Sequence, residues 1–413
     1  MNLRKLLSWW TFVIPAIAVV ALALSWGRHV SSLWLILLAL ILIGAVLAAV
    51  HHAETIAHHV GEPFGSLLLA VAVTVIEVSL ILMLMMGGKG NTQTLARDSI
   101  FAVVMMTMNG IVGLCLLAAA FRNHLAHFNA EGAGSALSAV ILLAGLTLIV
   151  PHFTQSEPGM AFTPTQLIFI GVMSLIIYGL FVFTQTIRHR DVFLPPDIPG
   201  IHPDCSCQQP EMSSSYAESG SAQGVGRDAL GAPLAPTSVD LASAVDDNED
   251  DDEEDPSSGK VSLRVLLASA GLLLVALVDV VGLAKVESPG IESVVVRFGL
   301  PPALVGVLIA LIILLPETIS ALKAANRGHM QTSLNLAYGS AMASIGLTIP
   351  VLAVASLWMP GSLHLGLEDV HIVLFAISAV VSILTIVRGR ANVLQGGLHL
   401  TLFVAFLLLT ILP

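Results

Sequence analysis

An all-α membrane protein with about eleven transmembrane helices, one extra N-terminal helix and two inverted five-helix repeats is the fold class this sequence predicts. Three observations lead there. Of 413 residues, 56% are hydrophobic and 11% charged, with a mean hydropathy of +0.89; soluble domains carry about 25% charged residues. Eleven apolar runs approach the roughly 20 residues that cross a bilayer. A polar, acidic stretch divides six of those runs from the other five.

The expected spans are 8–27, 31–50, 63–86, 99–121, 134–153, 165–187, 262–284, 300–323, 332–358, 367–387 and 393–412. Helices are required because an isolated strand leaves its backbone unsatisfied in lipid. The first run follows Arg4 and Lys5 and contains Ala21-Leu22-Ala23, so it resembles a signal peptide; its length and the spans after it favour an uncleaved first helix. Residues 1–30 form this extra element, 31–187 the first repeat, 188–260 the linker and 261–413 the second repeat. The linker is rich in Pro, Ser and Gly, contains DDNEDDDEED at 246–255, and is expected to be disordered. It holds 16 acidic and 4 basic residues, a net −12, which leaves +1 for the rest of the chain. The net charge of −11 therefore belongs to one loop and points to no nucleic-acid partner.

Lys and Arg orient the chain. With eleven spans, twelve basic residues fall on the N-terminal side, from Arg4 to Arg390, and five (Arg28, Lys89, Arg97, Lys285, Arg297) on the other. This predicts a cytoplasmic N-terminus and acidic loop and an external C-terminus. Without the first helix, each repeat has five spans, and an odd number inverts the second repeat relative to the first, a common plan for secondary transporters.

Glu77 and Glu317 each lie deep in the second span of a repeat. A carboxylate at mid-membrane costs roughly 2.5–3.5 kcal/mol on insertion scales, and intramembrane acids mark ion or proton pathways. Two that meet at the midplane offset a divalent charge and ligate a hard cation through oxygen; without the cation, desolvation and repulsion favour protons. Competition of this kind, combined with alternating access, is antiport. Pro316 precedes Glu317, removes a backbone donor and frees the carbonyl of Ile312; the first repeat has no matching proline, and Thr74 stands one turn before Glu77. In the spans after each glutamate, Asn109, Asn335, Ser340, Ser344 and Thr348 are either neutral oxygen ligands or packing residues, with packing the stronger reading for Asn335, Ser344 and Thr348.

HHAETIAHHVGEPFG (51–65) places His51, Glu54 and His58 on one helical face, a pH-responsive mouth or a polar interface, without the HExxH order of a metalloprotease. Glu62 suits a helix entry. Asp279 either lines the pathway or pairs with Lys285. His202, Cys205 and Cys207 make a loose cluster without a second ligand pair, and the three cysteines form no disulfide framework. No nucleophile–base arrangement suggests an enzyme, and no filter-like motif suggests a passive cation channel, the alternative class.

Three stretches, HAETIAHHVGEPFGSLLLAVAVTVIEVSLI (52–81), LPETISALKAANRGHMQTSLNLAYGSAMASIGLTIPV (315–351) and RANVLQGGLHLTLFVAFLL (390–408), resemble the calcium/cation exchanger superfamily, and within it the ChaA-type cation/proton antiporters. The resemblance implies exchange of Ca2+, Na+ or K+ for H+ across a bacterial inner membrane, with no cofactor; it indicates no particular oligomer. The repeats of that superfamily read Gly-Asn-Ala-x-Glu. Here they read Val73-Thr74-Val75-Ile76-Glu77 and Ile313-Leu314-Leu315-Pro316-Glu317. The glutamates match, while the ligating asparagine becomes Thr74 and Leu314, and a glutamine of the ninth span is replaced by Ala343. The resemblance implies a poorer calcium shell, leaves cation selectivity open, and places Asn109 and Ser340 at polar binding positions.

Overall fold

The computed structural model describes residues 3–28, 31–60, 64–87, 93–195, 263–301, 303–358 and 362–412. His202, Cys205, Cys207, the acidic run 246–255 and Glu62 lie outside the described residues, as does the side chain of His58.

In chain order the helices are α1 (Leu3–Ser25), α2 (Ser32–Val60), α3 (Phe64–Gly87), α4 (Leu95–Met105), α5 (Val112–Asn123), α6 (Ala130–Ala144), α7 (Val150–Phe153), α8 (Pro164–Phe183), α9 (Leu263–Phe298), α10 (Ala303–Ile313), α11 (Leu315–Asn326), α12 (Met330–Ala355), α13 (Asp369–Ile386) and α14 (Val393–Ile411). A wide π-helical turn, Met106–Ile111, joins α4 to α5, and another, Gly145–Ile149, joins α6 to α7. Each expected span overlaps helical structure, with 300–323 divided between α10 and α11. Among the described residues nine helices are long and apolar enough to cross a membrane, and α10 with α11 forms one broken span. The apolar part of α1, Trp10–Ser25, is shorter than a full span. The chain is a multi-pass membrane protein.

Local chemistry sets several helix starts. Thr163 and Gln166 form a reciprocal capping box at α8, and Asn392 and Gln395 another at α14. Asn129 accepts the free N–H groups of Glu131 and Gly132 at α6. Pro316 produces the expected break: Leu314 leaves helical geometry and α11 bends 53° away from α10. Its counterpart α3 runs without interruption.

Three boundaries differ from the sequence expectation. α2 continues through HHAETIAHHV to Val60. α9 passes the expected end at 284 and carries Glu287, Ser288 and Pro289 inside the helix to Phe298. Ser-Pro-Gly normally ends a helix, but Glu287 and Ser288 are buried here, and Gly290 packs on Leu35. The linker begins ordered: Arg190–Phe193 makes a single turn, with Phe193 against Phe181 and the Val192 carbonyl against Gly132. A short antiparallel pair, β1 (Ala126–His127) with β2 (Arg390–Ala391), was not foreseen; it joins the loops before α6 and α14.

Burial identifies the centre. The α4–α5 span is 89% buried and α12 67%, against 22% for α14. α12 packs on α3, α4, α5, α6, α8 and α11, α2 packs along α9, and α1 lies against both α2 and α9. The packing is reciprocal between the halves: α8 meets α12 as α14 meets α5, and α3 meets α12 as α10 meets α4. Small residues allow these close approaches. A Cβ on Gly306 would lie 2.7 Å from the Ser99 backbone nitrogen, so α10 crosses α4 nearly backbone to backbone. Gly346 and Pro350 of α12 face Tyr178 and Gly171 of α8, which turns the Ser344 side of α12 toward α3.

Candidate functional site

Glu77 sits midway along α3 and is 2% exposed. Its Oε1 accepts a hydrogen bond from Ser344 Oγ of α12 at 2.5 Å. Glu317 occupies the first turn of α11, just after the break. There its carboxylate meets its own backbone N–H, one of the donors a helix start leaves free, and the positive end of the helix dipole. Glu317 Oε2 is buried and has no hydrogen-bond partner. The carboxylates of Glu77 and of Glu54, on α2, both act electrostatically on Glu317. The structure therefore brings the two predicted glutamates into one field, and Glu54 joins them. They are not drawn to ligand distance: among the described residues no group of three His, Cys, Asp or Glu is placed to hold a metal ion.

Neutral oxygens line the α12 side. Ser340, Ser344 and Thr348 stand one turn apart on the face toward α3. Ser340 is half-buried, and Thr348 Oγ1 is buried without a partner. Packing was the stronger expectation for Ser344, yet it makes the direct contact with Glu77; a serine among small residues carries no sequence signal that separates the two roles. Thr74 is buried and donates to the Ala70 carbonyl in its own helix at 2.8 Å, leaving its lone pairs as its remaining contribution.

The structure places other expected ligands elsewhere. Asn109 lies in the π-helical turn, donates to Ser378 Oγ at 3.0 Å, and pairs with His399 Nδ1 at 3.2 Å. His399 Nε2 reaches Thr385 Oγ1, also at 3.2 Å. Asn109 is thus committed to α13 and α14 and not to the glutamates. The wide turn shifts side-chain register, so spacing along the sequence does not predict its direction. Asn335 donates to the Phe193 carbonyl at 2.7 Å and accepts from Gln331, whose own oxygen accepts from the Asn129 N–H. It fastens the start of α12 to two loops. Asp279 does not pair with Lys285, whose Nζ lies 5.2 Å from the Trp26 ring. His51 and His52 sit under α1: Trp10 and Phe12 pack on the two rings, and His52 Nε2 bonds the Thr11 carbonyl at 3.1 Å.

The many-helix membrane body, together with the matches to known exchangers, shows a cation antiporter, a transporter and not an enzyme. The chain belongs to the family described as sodium/calcium exchanger protein, which matches residues 30–187 and 268–412. It is 36% identical over 407 residues to the putative ionic transporter y4hA of Sinorhizobium fredii, covering 98% of this chain and 96% of the relative. It is 30% identical over 402 residues to the sodium-potassium/proton antiporter ChaA of Escherichia coli, covering 96% and 95%. Among solved structures, native YfkE shares the fold with a TM-score of 0.64 at 14% identity, covering 98% of this chain and all of that one. The H+/Ca2+ exchanger CAX does so with 0.62 at 13% identity, covering 98% and 88%.

One substitution isolates the contact made by Ser344. A hydrogen bond to a charged group contributes about 1.5–3 kcal/mol. Ser344→Ala is expected to weaken apparent cation affinity roughly tenfold or more, and Ser344→Thr to retain most of it. Initial transport rates against cation concentration check this; an unchanged affinity in the alanine variant removes Ser344 from the site.

Proposed function

We propose that the chain exports Ca2+, Na+ or K+ from the bacterial cytoplasm in exchange for protons, with Glu77 and Glu317 as a site that holds either the cation or protons. The placement of one membrane-embedded glutamate in each half carries the proposal, with Glu77 buried and bound by Ser344 of α12 and Glu317 Oε2 buried without a partner at the break before α11. Oxygens of Thr74, Ser340 and Ser344 complete a shell of the type hard cations take. Asn109 acts from behind, holding α13 and α14 against the central span. Carbonyls freed around Pro316 offer further oxygen ligands. Reciprocal packing of the two halves is what a pair of inverted five-helix repeats produces, and supports alternating access by rocking of one half against the other. The N-terminus and acidic loop lie in the cytoplasm on this reading, and Glu54 lies toward the cytoplasmic mouth. The names of ChaA and CAX both include the proton and differ on the cation, as the departure from Gly-Asn-Ala-x-Glu leads one to expect.

The test uses purified protein in liposomes with an imposed pH gradient and an internal pH dye, to which calcium, sodium and potassium are added separately. Proton movement that depends on one or more of these cations is the expected result. Cation flux without proton movement would replace proton coupling with a channel or with exchange between cations.

A further inference from the structure

The long helix α9 carries two acids that the Glu77–Glu317 site does not use. Asp279 is 1% exposed and Glu287 4%. They lie eight residues apart, about 12 Å along the helix, on the same face as Ala276, Val280 and Leu283, which are fully buried. Asp279 Oδ2 and Glu287 Oε1 are buried with no hydrogen-bond partner, and so is the Ser288 hydroxyl. Leu42 and Val46 of α2 and Leu80 and Leu84 of α3 belong to the apolar cluster that this face joins.

Among the described residues, no basic side chain forms an ion pair with either acid. Lys285 is exposed and lies over Trp26. Of the helices packed on α9, α1 has no ionisable side chain between Trp10 and Ser25, and Glu77 of α3 turns to Ser344. His51, His52, Glu54 and His59 of α2 stand at the far end of that helix from Leu35, the residue that meets Gly290. Asp279 lies about 17 Å before Gly290 along α9 and His51 about 24 Å beyond Leu35 along α2, so His51 stands roughly 8 Å past the level of Asp279 and about 20 Å past that of Glu287.

The surroundings select the occupant. An ionised, unpaired carboxylate among aliphatic side chains costs several kcal/mol. A hard metal cation takes about six oxygens; two carboxylates about 12 Å apart cannot share one, and a single carboxylate with one serine supplies too few. A proton needs one oxygen. We propose that Asp279 and Glu287 are proton-binding sites on α9, additional to the cation site and loaded and emptied during exchange. Each takes one proton from water onto a carboxyl oxygen and later returns it to water, with no other bond changed. The proposal rests on proton coupling as proposed above and extends it.

Infrared difference spectra between acidic and alkaline buffer test it on the purified full chain. The carbonyl stretch of a protonated carboxylic acid should change with pH in the unmodified protein. Part of that signal should be lost in Asp279→Asn and in Glu287→Gln, and return, displaced, in Asp279→Glu and Glu287→Asp. In liposomes with calcium, protons moved per calcium should fall in the Asn and Gln variants. This ratio is normalised to cation flux, so a smaller folded fraction does not alter it. Spectra and ratios equal to those of the unmodified protein in both variants would overturn the proposal. An unmodified protein that moves no protons with any cation would instead remove the antiport reading, while the spectra still decide whether the two acids bind protons.

Discussion

Glu77→Gln and Glu317→Gln should each reduce cation-dependent proton movement to background while the protein still inserts and purifies as a single species. Glutamine keeps the shape of a protonated glutamate, so packing around α3 and α11 is preserved. It removes one of two charges facing the cation and cannot give up a proton. Truncating one partner of a buried charge pair costs about 2–5 kcal/mol, roughly thirtyfold to several thousandfold in affinity. Binding of calcium, sodium or potassium by isothermal titration should therefore fail along with transport. The two sides differ in detail. Glu77 loses its acceptor for Ser344 Oγ, whereas Glu317 Oε2 has no partner to lose. Full exchange in either variant would take that residue out of the central site.

Arg97→Ala should give the largest loss of stability. The guanidinium is 6% exposed and donates in three directions: to Asp98 Oδ1 at 2.7 Å, to the Gly366 carbonyl at 3.2 Å and to Glu368 Oε1 at 3.2 Å. It thereby joins the start of α4 to the loop before α13. Glu368 is largely exposed, so that arm contributes about 0–1 kcal/mol. Asp98 is buried, and removing its cation leaves an uncompensated charge, which costs on the order of 3–5 kcal/mol. Thermal unfolding in detergent should show a midpoint lower by several degrees, and Arg97→Gln combined with Asp98→Asn should recover part of it. A midpoint equal to that of the unmodified protein would mean that the network holds nothing together.

The same contrast separates what was legible in the chain from what was not. Glu77 and Glu317 stood out because lipid penalises a carboxylate wherever the rest of the fold lies. The break at Pro316 followed from the missing N–H of proline, a property of one residue. Arg97 looked like an ordinary external-loop cation, because Gly366 and Glu368, its partners, are some 270 positions away. Asn109 was expected to face the glutamates; a π-helical turn and His399, 290 positions away, hold it toward α13 and α14. Ser344 could not be told from a packing serine until α3 was beside it.

The sequence by itself therefore determined the helical membrane body, the division by the acidic segment, and the two glutamates set in apolar spans. Each depends on local composition measured against a fixed solvent, the hydrocarbon. Tertiary structure alone decided which polar groups meet: Ser344 with Glu77, Asn109 with His399, and, among the described residues, Asp279 Oδ2 and Glu287 Oε1 with no partner. Hydrogen bonds and charge pairs act over a few ångströms between helices far apart in the chain, and no pattern within one helix encodes which neighbour will face it.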